Sequence, residues 1–325
     1  MVRFPRTHRV CIVNEKGGCG KTTCLVNIAH EFANRGSRVL VVDMDKQRDA
    51  TDTLLPAALR GNANVRTVAD ILIGGSDAKV AATQLDKVGT AGRFGGNLSL
   101  IPAHEHQHAT ELQIQLDLGE QSALGAMDES GHVDRGQRTE IQAALELAFY
   151  SQFKQRMEAV NGHYDVVLFD TPGNPGLLTN LALSASEWAL TVTQPSGYDV
   201  KGIGQLKKTL ALVRQAVNPD LRLVGCILNG VQARTRVARR WNEQISRAFG
   251  SSAQFQSAVP RSVRFEECAD ENITVFENDR PGAERLRDAF RKIVSEMIAK
   301  GEDQLRAEKT IDEGGVAPLA AAAND

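Results

Sequence analysis

Two lysines, Lys16 and Lys21, stand in a short glycine-rich run, N-E-K-G-G-C-G-K-T-T (14–23). Glycines let backbone N–H groups turn inward around an anion, and a helix that begins at such a loop adds the positive end of its dipole. The residues before the run, R-V-C-I-V-N (9–14), read as a strand, and K-T-T-C-L-V-N-I-A-H-E-F-A-N-R-G (21–36) reads as a helix that Gly36 stops. Strand, glycine loop and helix in that order make a phosphate cradle from Gly17, Gly18, Cys19, Gly20, Lys21, Thr22 and Thr23. Lys21 would reach the β- and γ-phosphates, and the Thr22 hydroxyl would ligate Mg2+. The usual spacing, G-x-x-x-x-G-K-[ST], fails at its first position, where Glu15 stands. That spacing leaves Lys16 without a role.

Positioning such a loop takes a sheet. Further β-branched runs follow it: R-V-L-V-V-D-M-D (38–45), L-S-L-I-P-A (98–103), D-V-V-L-F-D-T-P-G (165–173), W-A-L-T-V-T-Q-P (188–195), L-R-L-V-G-C-I-L-N (221–229) and F-Q-S-A-V-P (255–260). They lack the in/out alternation of a half-exposed strand, as expected where helices cover both faces. Their alternation with helical patterns predicts an α/β fold, a mostly parallel twisted sheet flanked by helices on both faces. One domain is expected over residues 1–300. Residues 104–140 form an elaborated connection in which Gly119, Gly125, Gly131 and Gly136 should interrupt any long helix. Residues 301–325, acidic and then alanine-rich, should fray or be disordered.

Bulk properties exclude several classes. Lys+Arg 38 against Asp+Glu 40 gives a formal charge of −2, so net charge does not advertise a nucleic-acid partner. Five cysteines with no C-x-x-C pair argue against a disulfide framework and for a reducing cytosol. No signal peptide or membrane-spanning run is evident, which points to the cytoplasm. The histidines of H-E-H-Q-H (His104, His106, His108) have no second ligand cluster and read as surface side chains at a helix start.

K-G-G-C-G-K-T-T resembles the deviant phosphate loop of the ParA/MinD family of partitioning and positioning ATPases. In that family the first lysine crosses a dimer interface to the partner's nucleotide. The resemblance therefore gives Lys16 a role: neutralising phosphate charge in trans, as an arginine finger does elsewhere. V-L-V-V-D-M-D-K-Q-R-D-A-T (39–51) is similar to the family segment ending D-x-D-P-Q-G-N-A-T, which makes Asp45 the orienter of the attacking water and puts Asp43 near the metal. Lys46 replaces the family's proline there, and Arg48 a frequent glycine. Y-D-V-V-L-F-D-T-P-G-N-P-G (164–176) resembles the Walker B strand and switch segment, with Asp170 beside Mg2+ and Gly173 where proline is common. L-V-G-C-I-L-N-G (223–230) and V-P-R-S-V-R-F (259–265) resemble the adenine-contacting segments, implying ATP held by Asn229, Pro260 and Arg261.

Between Val231 and Arg264 stand seven arginines and one acidic residue, Glu243. Such a patch binds phosphates without reading sequence, and the resemblance places non-specific DNA binding in this region; Arg234, Arg236, Arg261 and Arg264 are the candidates. The implied function is a ParA-like ATPase that dimerises on ATP and Mg2+, binds DNA non-specifically and drives plasmid or chromosome segregation. A ParB-like adaptor would stimulate its slow hydrolysis, and the protein would be nucleoid-associated when ATP-bound. The alternative is a MinD-like or orphan positioning ATPase for a protein cargo or a membrane pattern. The C-terminal residues lack the basic amphipathic character of a membrane helix, so no membrane partner is expected. Cys226 and Cys268 do not resemble the cluster ligands of nitrogenase iron protein, and Cys226 reads as a buried strand residue.

Overall fold

A computed structural model describes residues 6–14, 16–85, 92–128, 130–195, 200–231 and 236–312. Its centre is an eight-stranded sheet. The strands are β1 (His8–Val13), β2 (Val39–Asp43), β3 (Thr83–Gln84), β4 (Leu98–Ile101), β5 (Val166–Asp170), β6 (Trp188–Thr193), β7 (Arg222–Val231) and β8 (Val259–Pro260). Their spatial order is β3-β4-β2-β5-β1-β6-β7-β8, parallel throughout except for the edge pair β3–β4. The mostly parallel α/β expectation holds. The short antiparallel β3 is not legible in the sequence, and the strand expected over 255–260 shrinks to β8.

The α-helices between and after the strands are α1 (Lys21–Asn34), α2 (Asp49–Leu54), α3 (Val68–Leu72), α4 (Ala78–Ala81), α5 (Gln107–Gly125) and α6 (Arg135–Glu158). They continue with α7 (Leu177–Ser184), α8 (Val200–Ala216), α9 (Arg236–Phe249), α10 (Arg264–Glu271) and α11 (Ala283–Asp312). Strand residues alternate between two cores, as the two-residue period of a pleated strand requires. Val10 and Ile12 of β1 face one core, with Leu25, Ile28 and Phe32 of α1 and Phe290 and Ile293 of α11. Cys11 and Val13 face the other, with Ile114 of α5, Phe153 and Met157 of α6 and Leu181 of α7. Both faces of β1 are therefore dry, which explains its uninterrupted apolar run. Helix α1 ends as its sequence predicts: Gly36 takes φ 83, and its N–H reaches the Ala33 carbonyl. All five cysteines are buried, Cys226 within β7. No helix among the described residues is long and apolar enough to cross a membrane.

Two expectations are corrected. Gly119 does not interrupt a helix in the 104–140 connection but sits inside α5. A mid-helix glycine costs about 1 kcal/mol relative to alanine. Burial of Ile114, Leu118 and Ser122 along the same helix offsets that cost. Gly125 ends α5, and Gly131, at φ 83, lies in the turn before Asp134 caps α6 through the Gln137 N–H at 2.7 Å. At the other end, α11 continues past residue 300 to Asp312; residues 313–325 lie outside the described residues. His104 and His106 precede α5, and the His104 Nδ1 accepts the His106 N–H at 3.1 Å.

His30 in α1 gives the fold a pH signature. Its ring is buried, edge-on to Phe94, with Nδ1 2.6 Å from the Thr274 hydroxyl. Burial, with a smaller effect from Arg93, lowers its pKa to about 4, against the pull of Glu277. The folded state thus keeps the ring neutral while the unfolded chain protonates it below about pH 6.5. The stabilisation is complete above that pH and is lost as pH falls toward 4. Between pH 7.5 and 5.5 this residue should cost about 1 kcal/mol of unfolding free energy. Urea titrations at both pH values should show a shallower decline for His30→Gln. Comparison with the parent chain removes the contributions of carboxylates remote from the ring, Glu277 at 4.0 Å being the one linked to it.

Candidate active site

The phosphate loop leaves the C-terminal end of β1, the strand between β5 and β6. Three side-chain amides hold it. Asn14 spans the loop's entry, donating to the Val192 carbonyl at 2.5 Å and accepting the Lys16 N–H at 3.2 Å. Gln194, beyond β6, donates to the Gly18 carbonyl at 3.2 Å, and Asn229, in β7, to the Cys19 carbonyl at 2.8 Å. Gly20 takes φ 87 at the start of α1, where a Cβ would collide with the Asn229 amide. Glycine is therefore required twice over, by conformation and by space. Lys21 is buried with its ammonium 3.4 Å from the Lys16 carbonyl, and the Lys16 side chain lies exposed.

Opposite the loop, Asp43 and Asp170 end β2 and β5 and are register partners. Asp170 Oδ2 accepts the Thr22 hydroxyl at 2.7 Å; Oδ1 is buried and meets no hydrogen-bond donor among the described residues. Asp43 spends both oxygens on its own loop. Oδ1 accepts the Asp45 N–H at 3.0 Å, and Oδ2 takes the Thr51 N–H at 2.8 Å and hydroxyl at 2.7 Å. Burial pushes both carboxyls up from their usual range, and the charge of Asp43 adds to the effect at Asp170. Two adjacent buried carboxylates resist ionising together unless a cation joins them. The orphaned Asp170 Oδ1 beside the Thr22 hydroxyl is the oxygen-only donor set that a hard cation such as Mg2+ takes. The residues present fit that ion.

Asp45, Lys46, Gln47 and Asp49 line a cavity of about 480 Å³ together with Gly17, Gly18, Gly20, Lys21, Thr22, Thr23, Gly173 and Asn174. The Asp45 carboxylate accepts the Gln47 N–H at 3.0 Å, which fixes one oxygen. Arg48 sits at φ 62, where glycine would bear no strain, and its guanidinium is 3.7 Å from Glu105. Gly173 packs directly on the phosphate loop: a Cβ there would lie 2.7 Å from the Gly17 Cα. The glycine in place of proline is what this close approach requires. Sequence reasoning missed Asn14, Gln194 and the role of Thr51, because an amide or hydroxyl at a strand end looks like any other until its partner is placed.

The proposed base-contacting residues come together off β7 and β8. Asn229 pairs with Val259 and Val231 with Pro260, and the Arg261 N–H reaches the Val231 carbonyl at 3.2 Å. Asn229 turns its amide N–H onto the phosphate loop. Pro260 lines a separate cavity of about 580 Å³ with Val231, Gln256 and, from α11, Arg285, Asp288 and Lys292. Of the four arginines proposed for DNA, Arg261 is exposed, and Arg264 is tied to Glu267 at 2.5 Å. Arg236 opens α9, and Arg234 lies outside the described residues.

A glycine cradle at the C-terminal edge of a parallel sheet, facing carboxylates across a cavity, defines a P-loop nucleotide-binding protein. Residues 10–275 match the CobQ/CobB/MinD/ParA nucleotide binding domain, and the chain belongs to that family. The sporulation initiation inhibitor protein Soj of Bacillus subtilis is 30% identical over 290 residues, covering 88% of this chain and 98% of Soj. The chromosome partitioning protein ParA of Myxococcus xanthus is 30% identical over 260 residues, covering 80% of this chain and 77% of that protein. Within the family, then, the chain is ParA/Soj-like. Cobyrinic acid a,c-diamide synthase from Mycobacterium smegmatis, solved with a bound ATP analog and magnesium, superposes with a TM-score of 0.63. It is 21% identical and covers 89% of this chain and 93% of its own, a likeness that speaks for the fold.

Proposed function

We propose that the chain is a cytoplasmic ParA-type ATPase that binds ATP, pairs with a second copy, holds DNA without reading its sequence and partitions a plasmid or chromosome. The observation that carries this reading is the cavity in which the loop Gly17–Thr23 faces Asp45 and Asn174, with the unpartnered Asp170 oxygen beside Thr22. Backbone N–H groups of the loop and Lys21 bind the phosphates. Thr22 and Asp170 would hold Mg2+, which would supply positive charge to offset that of the phosphates. Asp43 acts through Thr51 and the Asp45 N–H, fixing the loop that carries Asp45. Asp45, with one oxygen fixed by Gln47, turns the other toward a water in line with the γ-phosphate. Lys16 serves the site of the opposite subunit, and Asn229, Pro260 and Arg261 contact the adenine. A ParB-like adaptor stimulates hydrolysis and so releases the DNA. The likeness to Soj and to a chromosome partitioning ParA, each matched over most of this chain, supports the partitioning role.

Retention of mixed-sequence DNA with a non-cleavable ATP analogue and Mg2+, read across a salt series, tests the reading. Retention should require the nucleotide and fall steeply with salt. Changing Arg234, Arg236, Arg261 and Arg264 to alanine should weaken it and reduce the log–log salt slope by about 1 for each phosphate left unneutralised. Arg261 should account for more of the effect than Arg264, whose charge Glu267 already offsets. Unchanged retention in the fourfold variant eliminates the patch. Binding to lipid vesicles instead of DNA would move the reading to the positioning ATPases.

A further inference from the structure

Lys46, like Gly173, lines the candidate site at a position where the sequence departs from the family pattern, and its placement suggests a use. It is exposed and lines the same cavity as Lys21, Thr22 and Asp45. Its ammonium forms no ion pair or hydrogen bond among the described residues. It occupies the second position of a tight turn closed by the Arg48 N–H on the Asp45 carbonyl at 3.1 Å, with neither Lys46 nor Gln47 at positive φ. Proline suits that position, because its fixed φ reduces the entropy that the turn must surrender. A lysine there forgoes that advantage and adds a second cation, beside Lys21, to a cavity also lined by Asp45 and Asp49.

The sheet order decides which end of a nucleotide the cation would meet. Lys46 follows β2, on one side of β1, whereas Asn229 and Pro260 belong to β7 and β8 on the other. The base-contacting residues and Lys46 therefore flank the phosphate loop from opposite sides. On the Lys46 side lie Asp45 and the switch residues Gly173 and Asn174, the side on which the terminal phosphate of a nucleotide with its base toward β7 and β8 would lie.

We propose that Lys46 binds the γ-phosphate within its own subunit and makes the site prefer the triphosphate over the diphosphate before any partner arrives. This deepens the ATPase reading and rests on it. A charge-assisted contact that only ATP can make strengthens ATP binding and leaves ADP untouched. It would hold the nucleotide-loaded monomer in readiness for pairing, where a proline would leave γ-phosphate recognition to Lys21 and the lysine of the opposite subunit.

The test is calorimetric: affinities of a non-cleavable ATP analogue and of ADP, each with Mg2+, for the full chain and for Lys46→Gln and Lys46→Pro. Protein concentrations must be low enough to keep the chain monomeric. Both variants should lose about tenfold in analogue affinity, the size of one charge-assisted hydrogen bond at a half-open site, with ADP affinity unchanged. Lys46→Pro should also raise the melting temperature of the nucleotide-free chain, which separates weakened recognition from a damaged loop. An analogue-to-ADP preference within twofold of the parent in both variants overturns the proposal while leaving the ATPase reading intact. Equal weakening for both nucleotides overturns it too, since Lys46 would then not be reaching the γ-phosphate. If the parent chain binds neither nucleotide, the ATPase reading fails and this proposal falls with it.

Discussion

Replacing Asp45 with alanine should lower ATP turnover by about 10²–10³-fold while nucleotide affinity stays within a few-fold of the parent chain. The expectation follows from where the carboxylate stands. Asp45 lines the cavity, whereas Lys21 and Thr22, the groups that grip phosphate and metal in our reading, are held by Lys16 and Asp170. Its N–H on Asp43 is a backbone contact and survives the substitution; its Oδ1 contact with the Gln47 N–H does not. Asp45→Asn supplies the control, because an amide oxygen can still accept that N–H but makes a far weaker base. If turnover falls equally in both variants, the cause is chemical; if only the alanine variant falls, it comes from the turn. Phosphate release and sizing in the presence of DNA give the readout, and slow hydrolysis should leave the alanine variant accumulated on DNA as dimers. Parental turnover in Asp45→Ala would remove this residue from the mechanism.

Lys16→Ala should abolish ATP-dependent pairing, and with it at least about 10²-fold of turnover, while each monomer still binds nucleotide. The loop itself should survive. Lys16 shapes it through its N–H on Asn14 and its carbonyl beneath the Lys21 ammonium, both of which alanine retains. What disappears is an exposed cation at the mouth of the loop. Light scattering with a non-cleavable analogue and Mg2+ should find dimers of the parent chain and monomers of the variant. Dimers of equal stability in both would show that Lys16 is not what couples the triphosphate to association.

The ease with which the site can be read tracks its sequence separation. The phosphate loop is contiguous, and its glycines, lysines and threonines declare their chemistry side by side, so residues 14–23 are legible at once. Asp43 and Asp170 are legible as strand-end carboxylates because each closes an uninterrupted apolar run, and Asp45 follows two residues after the first. The amides of Asn14, Gln194 and Asn229, which grip the loop from the ends of β1 and β6 and from β7, are not readable as such. An amide carries no mark of which distant carbonyl it will meet. Asn229 in particular reads as a base-contacting group, and the fold gives its N–H to Cys19.

Local signals also mislead where packing overrides them. Gly119 reads as an interruption, yet α5 runs through it, because the buried face of the helix contributes more than one glycine costs; Gly125, read the same way, does end the helix. Gly173 and Arg48 read simply as departures from a pattern. The fold shows one to be a close approach to Gly17 and the other to hold a left-handed backbone without glycine.

The sequence by itself determined the doubly covered parallel sheet, the phosphate cradle and the strand-end carboxylates, because hydrophobic period and contiguous motifs are properties of the chain before it folds. Only the tertiary structure decided that Asp43 serves its own loop while Asp170 keeps one oxygen without a donor among the described residues, and that Lys46 shares a cavity with Lys21. Those outcomes depend on which strand ends the parallel crossovers bring side by side, a matter of packing across more than a hundred residues.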